Sequence, residues 1–409
     1  MKALWHGYVA GPLFGALWTF TMAVTTCIVL SFSTGEGLAP SLWGSLAFGA
    51  WLGFVWLPDG GRTRQERIIW SVGLAIIPAA IFLLGKPAIR GTEGTSFAVQ
   101  TFAWIVFAIA SAWPLIKILE DLPFRQTTRH EFEASAIRFF TGFGYIFFTA
   151  IVAIPFYVMV MTSLKNQAEL MANPLDFTVD LSKGFDLFRS YSELFSDFSF
   201  GNYMWTSFYV SVLTVFLTLA FSIPGAYAVA RLRFKGRAAF SRSILLIYMV
   251  PMIVLALPIY IVFSMAGLRN TIFGIVLIYP VTTIPVALYM LQGYFRGLPA
   301  EVEEAGLMDG LNRLQVIWKI TLPLALPALA SVSLYVFMIA WNEFLLAFML
   351  LDDPSKFTLT RGIASLNSSE IPRQHLMAGA VIATVPIMVL FLGLERFMTK
   401  GLTAGSVKG

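Results

Sequence analysis

The chain has 409 residues, of which 57% are hydrophobic and only 12% are charged. Soluble domains give about a quarter of their residues to charged side chains, so this composition excludes an ordinary water-soluble domain. The formal net charge of +5 does not indicate a nucleic acid partner, because the basic residues fall in short segments between apolar runs. We therefore predict an all-α polytopic membrane protein.

Ten apolar stretches are each close to the roughly 20 residues that a membrane-spanning helix needs. Prolines inside several of them do not exclude helices, since neighbouring helices in a bundle satisfy the freed carbonyl groups. The third stretch is the shortest. In chain order the predicted spans lie near residues 8–32, 38–57, 68–85, 97–118, 138–162, 202–230, 243–265, 271–293, 326–351 and 376–398.

The basic residues concentrate in alternate loops, most densely between Arg231 and Arg242. With ten spans, this arrangement places most of the 28 Lys and Arg residues on the side of the N-terminus. The positive-inside rule then predicts that both termini lie in the cytoplasm. An odd number of spans would move several basic loops to the outer side.

Residues that would carry chemistry of their own are scarce. Cys27 is the single cysteine, and His6, His130 and His375 are far apart in the sequence. Neither residue type shows a disulfide or metal-ligand spacing. The sequence also lacks a Gly-x-x-x-x-Gly-Lys-Ser/Thr phosphate loop. We therefore predict no metal, no cofactor, no enzyme activity and no nucleotide site in this chain.

The most informative segment is the loop at residues 294–325, which the topology places on the cytoplasmic side. Pro299 followed by acidic residues favours a helix start, and Gly310 favours its end. Asn312 and Gln315 have the spacing of a capping box that begins a second short helix. Two short helices would form a compact protrusion.

One face of the first short helix is predicted to be small and open to a partner. Val302, Ala305 and Asp309 share a helix face, with Gly306 beside Ala305. Small side chains there would let another protein approach the backbone closely. An ordinary solvated loop is the alternative for such a segment taken alone.

The same loop resembles the EAA loop of binding-protein-dependent ABC importer permeases, which reads Glu-Ala-Ala, three residues, Gly, nine residues, then Ile-x-Leu-Pro. Gly306 stands in place of the second alanine, which loosens a helix by up to about 1 kcal/mol. The residues that match the pattern or lie within it are Glu304, Ala305, Gly306, Asp309, Gly310, Ile320, Leu322 and Pro323.

Further segments are similar to the carbohydrate-uptake branch of that family. The last ten residues resemble the end of the maltose-type second permease, which makes Lys400, Gly405 and Lys408 candidate ATPase contacts. The other similar segments are Pro155 with Ser163 and Lys165, the run 227–232, the run 234–237 and the run 341–344.

The resemblance implies a six-helix permease core at residues 131–409, preceded by an N-terminal extension of about four transmembrane helices at residues 1–130. The 294–325 loop would couple a separate ATPase to the spans. The implied partners are a second permease subunit, cytoplasmic ATPase subunits, an extracytoplasmic sugar-binding protein and membrane lipid. The implied location is a bacterial inner membrane, and the implied substrate is an oligosaccharide or glycoside.

Other functions stay open at this stage. Glu343 is the only acid well inside a predicted span, since Glu395 lies near the end of the last one, and intramembrane acids are costly and usually functional, so an ion-coupled transporter is one alternative. Asn342 beside it indicates a polar patch, and both are candidate pathway or gating residues. Glycerol-phosphate and polyol substrates are also open, as is a membrane scaffold without transport.

The role of the N-terminal extension is not predicted by the resemblance. Gly11 and Gly15 form a Gly-x-x-x-Gly pattern, which lets two membrane helices approach closely. We expect the extension to pack outside the core or on the second permease.

Overall fold

A computed structural model describes residues 6–58, 64–174, 176–368 and 371–403 of the chain. The described residues are almost entirely helical, as the composition predicts. They form two compact units, Met1–Leu187 and Phe188–Gly409.

In its described residues, the first unit holds six α-helices and a small antiparallel pair of strands, in which Leu38 pairs with Gly91. A short 3₁₀ helix, Leu181–Phe188, follows the last of these helices. The elements are α1 (Gly7–Thr34), β1 (Leu38–Pro40), α2 (Leu42–Val55), α3 (Arg64–Leu83), β2 (Ile89–Gly91), α4 (Phe97–Leu119), α5 (Arg129–Ser163) and α6 (Gln167–Ala172).

The second unit is built entirely from helices in its described residues, with a π-helical turn at Ile317–Thr321 and a 3₁₀ turn at Pro354–Lys356. The α-helices are α7 (Arg189–Ser196), α8 (Phe200–Arg231), α9 (Arg237–Tyr248), α10 (Met252–Met265), α11 (Ile272–Ile278), α12 (Pro280–Gly297), α13 (Ala300–Met308), α14 (Arg313–Val316), α15 (Leu322–Leu324), α16 (Leu326–Asn342), α17 (Leu345–Leu350), α18 (Leu359–Ser365) and α19 (Arg373–Thr403).

Six helical segments of the described residues are long and apolar enough to cross a membrane. A seventh is obtained if α16 and the helical segment before it, which meet at 79°, count as one span. The six segments are Gly7–Thr34, Phe97–Leu119, Arg129–Ser163, Phe200–Arg231, Ile272–Gly297 and Arg373–Gly393.

Each of the ten predicted spans overlaps a helix, but the stretch 38–57 begins in β1 and two other stretches are interrupted. The stretch 243–265 is divided between α9 and α10, because Pro251 lacks the N–H group that a continuous helix would use. The stretch 326–351 is broken at Glu343 and Phe344, between α16 and α17. Helix α2 has 14 residues and covers about 21 Å, less than the hydrocarbon thickness of a bilayer.

Helices α1 and α2 meet along their glycines. A Cβ atom added to Gly15 would clash with the Gly49 carbonyl oxygen, and one added to Gly11 would lie 2.8 Å from the Gly53 carbonyl oxygen. The Thr19 hydroxyl donates to the Ser45 carbonyl across the same contact at 2.8 Å. The Gly-x-x-x-Gly pattern of α1 is thus a true helix contact, matched by a second such pattern on α2.

Helix α5, the first helix of the predicted core, packs against helices of the predicted extension within the first unit. It begins at a capping box in which Thr128 and Glu131 exchange hydrogen bonds. The ring of Phe139 contacts those of Phe14 and Trp18, with centroid distances of 5.8 and 6.2 Å. This aromatic packing fixes the N-terminal part of α5 on α1.

We predict that Gly15→Ala lowers the thermal stability of the detergent-solubilised protein. The added methyl group has no room beside α2, and overpacking of this kind costs about 1–3 kcal/mol. Thermal unfolding monitored by circular dichroism measures the effect. Gly144→Ala on α5 is the matched control, because nothing lies within 4 Å of its Cβ position. Equal melting temperatures for the two variants would contradict the close contact.

Candidate functional site

The 294–325 loop folds as two short helices and a turn, as its sequence predicts. Helix α13 ends at Met308, Asp309 is its C-cap residue, and Gly310 then adopts a left-handed conformation with φ of 84°. The Asn312 side chain accepts a hydrogen bond from the Gln315 amide at 2.9 Å, and the Gln315 side chain accepts one from the Asn312 amide at 2.9 Å. Local capping signals therefore shape this loop.

The interior of the loop is closed by apolar side chains around Gly306. A Cβ added there would lie 2.5 Å from Ile320 Cδ1 and 3.6 Å from side-chain atoms of Leu311 and Val316. Gly306 is buried. The expectation that it belongs to a partner-facing surface is wrong, because the second helical segment folds back over that side of α13. Its small size instead lets the two segments pack together.

The opposite face of α13 is open. Val302, Ala305 and Asp309, which were predicted to share a face, are exposed, and Glu304 is exposed as well. Large apolar side chains accompany them, and Met308 is 87% exposed. The other exposed apolar residues of the loop are Val302, Leu314, Trp318 and Leu324.

The remaining residues of the family pattern stabilise the return of the chain to α16. Ile320 packs on Gly306, and Leu322 is partly buried. Pro323 lies in the first turn of α15, where its missing N–H group costs nothing. The helical segment up to Leu324 then meets α16 at 79°.

A buried carboxylate ties the loop to the spans. Glu303 is 7% exposed, and its Oε2 accepts a hydrogen bond from the Tyr227 hydroxyl at 3.2 Å. Its Oε1 accepts one from the Thr321 hydroxyl at 3.1 Å and lies 3.3 Å from Arg231 Nε. Arg231 Nη2 also donates to the Leu298 carbonyl at 2.7 Å. We call this set of contacts the Glu303 cluster.

Glu303 is not among the functional residues that the sequence predicts. Tyr227 and Arg231 were noted only as part of a branch-specific run, and nothing in the sequence links them to an acid 70 or more positions later. The signal that was present is helical periodicity, since Glu303 and Gly306 are three residues apart and share the inward face of α13.

The Ser163 and Lys165 motif also has a defined setting, at the end of α5. Lys165 is 6% exposed, and its Nζ donates to Asp176 Oδ2 at 2.6 Å. Partial burial raises the pKa of the Asp176 carboxyl, but hydrogen bonds from Lys165 and Thr178 outweigh that effect and lower this pKa to about 2. The pair therefore holds the segment after α5 in place at neutral pH.

The side chains of Glu343 and Asn342 form hydrogen bonds with nearby backbone groups. Glu343 Oε1 accepts a hydrogen bond from the Leu346 amide at 2.8 Å, and Oε2 accepts one from the Ala347 amide at 3.1 Å. The carboxylate thus caps the N-terminus of α17. Asn342 Nδ2 donates to the Met338 carbonyl of its own helix at 2.9 Å.

The C-terminal candidates lie at or beyond the end of the described residues. Lys400 lies in α19, but its side chain falls outside the described residues, as do Gly405 and Lys408. Within the described part of the chain, no group of three His, Cys, Asp or Glu residues has the geometry of a metal site.

Comparison with known proteins identifies the family. Residues 222–403, which contain the Glu303 cluster and the 294–325 loop, match the family described as "Binding-protein-dependent transport system inner membrane component". The chain is 37% identical over 283 residues to the inner membrane ABC transporter permease protein YcjP of Escherichia coli (strain K12). That match covers 67% of this chain and 97% of YcjP.

Two further similarities agree with this result. The trehalose/maltose transport system permease protein MalG of Thermococcus litoralis is 33% identical, with 65% of this chain and 95% of MalG covered. A crystal structure of a bacterial ABC transporter involved in the import of the acidic polysaccharide alginate has the same fold, with a TM-score of 0.55 and 24% identity. The match between the two structures covers 66% of this chain and 98% of the transporter chain.

The chain therefore belongs to the family of binding-protein-dependent transport system inner membrane components, and it is an ABC importer permease. It is a multi-pass inner membrane protein that acts as a transport subunit. The family assignment does not favour the ion-coupled alternative.

We predict that Gly306→Trp lowers the melting temperature of the isolated chain, whereas Ala305→Trp leaves it nearly unchanged. The Trp side chain at position 306 would displace Ile320 and open the loop, at an overpacking cost of about 1–3 kcal/mol or more. At position 305 it would lie in solvent. A lower melting temperature for Ala305→Trp than for Gly306→Trp would reverse the assignment of the two faces.

Proposed function

We propose that the exposed face of the 294–325 loop docks into a cytoplasmic ATPase subunit and transmits ATP-driven movement to the spans. The observation that carries this proposal is a small, internally closed protrusion with large apolar side chains on its surface, Met308 above all. Exposed apolar groups of this kind mark interaction surfaces. Glu304 and Asp309 add exposed charge, which would orient the partner.

The face suits a partner with an apolar cleft bordered by basic groups. Ala305 lies at its centre and leaves the backbone of α13 accessible, while Gly310 ends the helix sharply. The family pattern supports the same assignment for Ile320, Leu322 and Pro323, which hold the docking face in position from behind. The candidate contacts at Lys400, Gly405 and Lys408 would add to it.

We further propose that the substrate is a sugar, most simply an oligosaccharide or glycoside. Relatives carry names that specify trehalose and maltose in Thermococcus litoralis, arabinooligosaccharides in Halalkalibacterium halodurans and diacetylchitobiose in Streptomyces coelicolor. These names agree on carbohydrate and differ in the sugar. Glycerol-phosphate and polyol substrates remain the alternative within the same mechanism.

The proposed assembly contains this chain, a second permease, two ATPase subunits and an extracytoplasmic sugar-binding protein. Both termini and the 294–325 loop would lie in the cytoplasm, where the ATPase subunits are. Residues 131–409 would form the permease core and residues 1–130 an extension that packs outside it or on the second permease. The aromatic contact of α1 with α5 supports an extension built onto the first core helix.

The docking surface is tested by co-purification. We expect tagged wild-type chain, extracted from its native membrane, to retain an ATPase subunit. Ala305→Trp should reduce the retained ATPase at least roughly ten-fold, because a bulky group at the centre of an interface costs more than about 1.4 kcal/mol.

Ala150→Trp, the same type of substitution placed on α5, is the control. It should retain the ATPase at the wild-type ratio. Full retention by Ala305→Trp would remove the docking face from the proposal.

The ion-coupled alternative makes an opposite prediction for Glu343. Because its carboxylate caps α17, Glu343→Gln keeps one acceptor and should preserve ATP-dependent uptake, whereas Glu343→Ala leaves two backbone amides without it and should destabilise the protein by about 1–3 kcal/mol. Uptake of radiolabelled trehalose and maltose into vesicles, with and without a protonophore, measures the effect. Loss of a protonophore-sensitive signal in Glu343→Gln would favour ion coupling.

A further inference from the structure

The carboxylate of Glu303 occupies an unusual position for a loop acid. It is 7% exposed, whereas Glu301 and Glu304 on either side of it are exposed. An ionised carboxylate removed from water is unfavourable unless it is paired and hydrogen-bonded. Apolar packing around Gly306 already closes the loop, so closure alone does not require a buried acid.

The partners of Glu303 lie on elements that the loop must move. Tyr227 and Arg231 belong to the last turns of α8, and Thr321 belongs to the π-helical turn that precedes α15 and α16. Arg231 also holds the Leu298 carbonyl, just before α13 begins. One carboxylate thus connects α13 to two separate helical segments.

The two hydrogen bonds that Glu303 accepts, from Tyr227 and Thr321, are directional, unlike the apolar contacts of Gly306. A hydrogen bond weakens steeply when its angle falls below about 120°, while apolar side chains slide past one another with little loss. A displacement of α13 therefore carries α8 and the π-helical turn with it, or it breaks three contacts of one buried charge. The charge makes the second outcome costly.

We propose that Glu303 is a positioning residue that transmits movement of α13 into α8 and into the segment leading to α16. This inference rests on the proposed function, because it takes an ATPase as the source of the movement. Glu303 itself touches neither nucleotide nor substrate. Its role is to keep the angle between α13 and α8 fixed while the loop is displaced.

Hydrogen–deuterium exchange of the assembled transporter separates the two steps. The complex is purified with its ATPase subunits, reconstituted in lipid, and compared without nucleotide and with MgATP plus vanadate. Peptides from α13 report movement of the loop, and peptides from residues 222–232 report movement at the end of α8. In the wild type we expect both sets to change.

Glu303→Gln keeps the size of the side chain and removes its charge. We expect it to retain the ATPase and the α13 response, but to lower the nucleotide-dependent response of residues 222–232 by roughly five-fold or more, the scale of typical coupling between sites. Tyr227→Phe removes one hydroxyl and should give a smaller loss. Asp186→Asn, which neutralises an exposed acid outside the loop, should leave both responses unchanged.

Each failure has its own meaning. An unchanged response of residues 222–232 in Glu303→Gln overturns the positioning role and leaves the docking proposal intact. Loss of assembly in both Glu303→Gln and Tyr227→Phe also overturns it, since the cluster is then needed for folding. If hydrogen–deuterium exchange of the α13 peptides in the wild-type complex does not change with nucleotide, the proposed function is overturned, and this inference with it.

Discussion

The buried charge of Glu303 is the constraint on which the arrangement of this site depends. A carboxylate that is buried away from water needs hydrogen-bonding and charged partners, and Tyr227, Thr321 and Arg231 provide them. These contacts hold the end of α8 and the π-helical turn Ile317–Thr321 close together. The apolar interior around Gly306 then determines which face of α13 is covered. The other face of α13 stays exposed, and the Glu303 cluster fixes the position of that face relative to α8.

Features encoded over a few residues were predictable. The long apolar stretches gave the helices, the Asn312 and Gln315 spacing gave the second short helix, and Gly11 with Gly15 gave a close helix contact. Each depends on contacts within one turn or on composition along one segment. The family pattern around Glu304 led to the proposed role of the loop only because its spacing extends to Pro323.

Features that depend on the packing of distant segments were not predictable. Gly306 was expected on the open face, and it lies inside because Ile320 returns over it, 14 positions later. Glu303 was passed over in favour of Glu304, since only the fold brings Tyr227 within 3.2 Å of it. Glu343 stands out in the sequence as an intramembrane acid, but only the break between α16 and α17 reveals that two backbone amides donate hydrogen bonds to it.

The aromatic seat of α5 on α1 has a consequence for comparing this protein with its relatives, whose length corresponds to about two-thirds of it. Phe139 is 7% exposed because Phe14 and Trp18 cover it. A chimera in which this chain is shortened to the length of its relatives would lose α1. The aromatic side chains on the N-terminal part of α5, Phe139 among them, would then be exposed. Such a chimera therefore needs substitutions on the face of α5 that α1 now covers, as well as a new N-terminus.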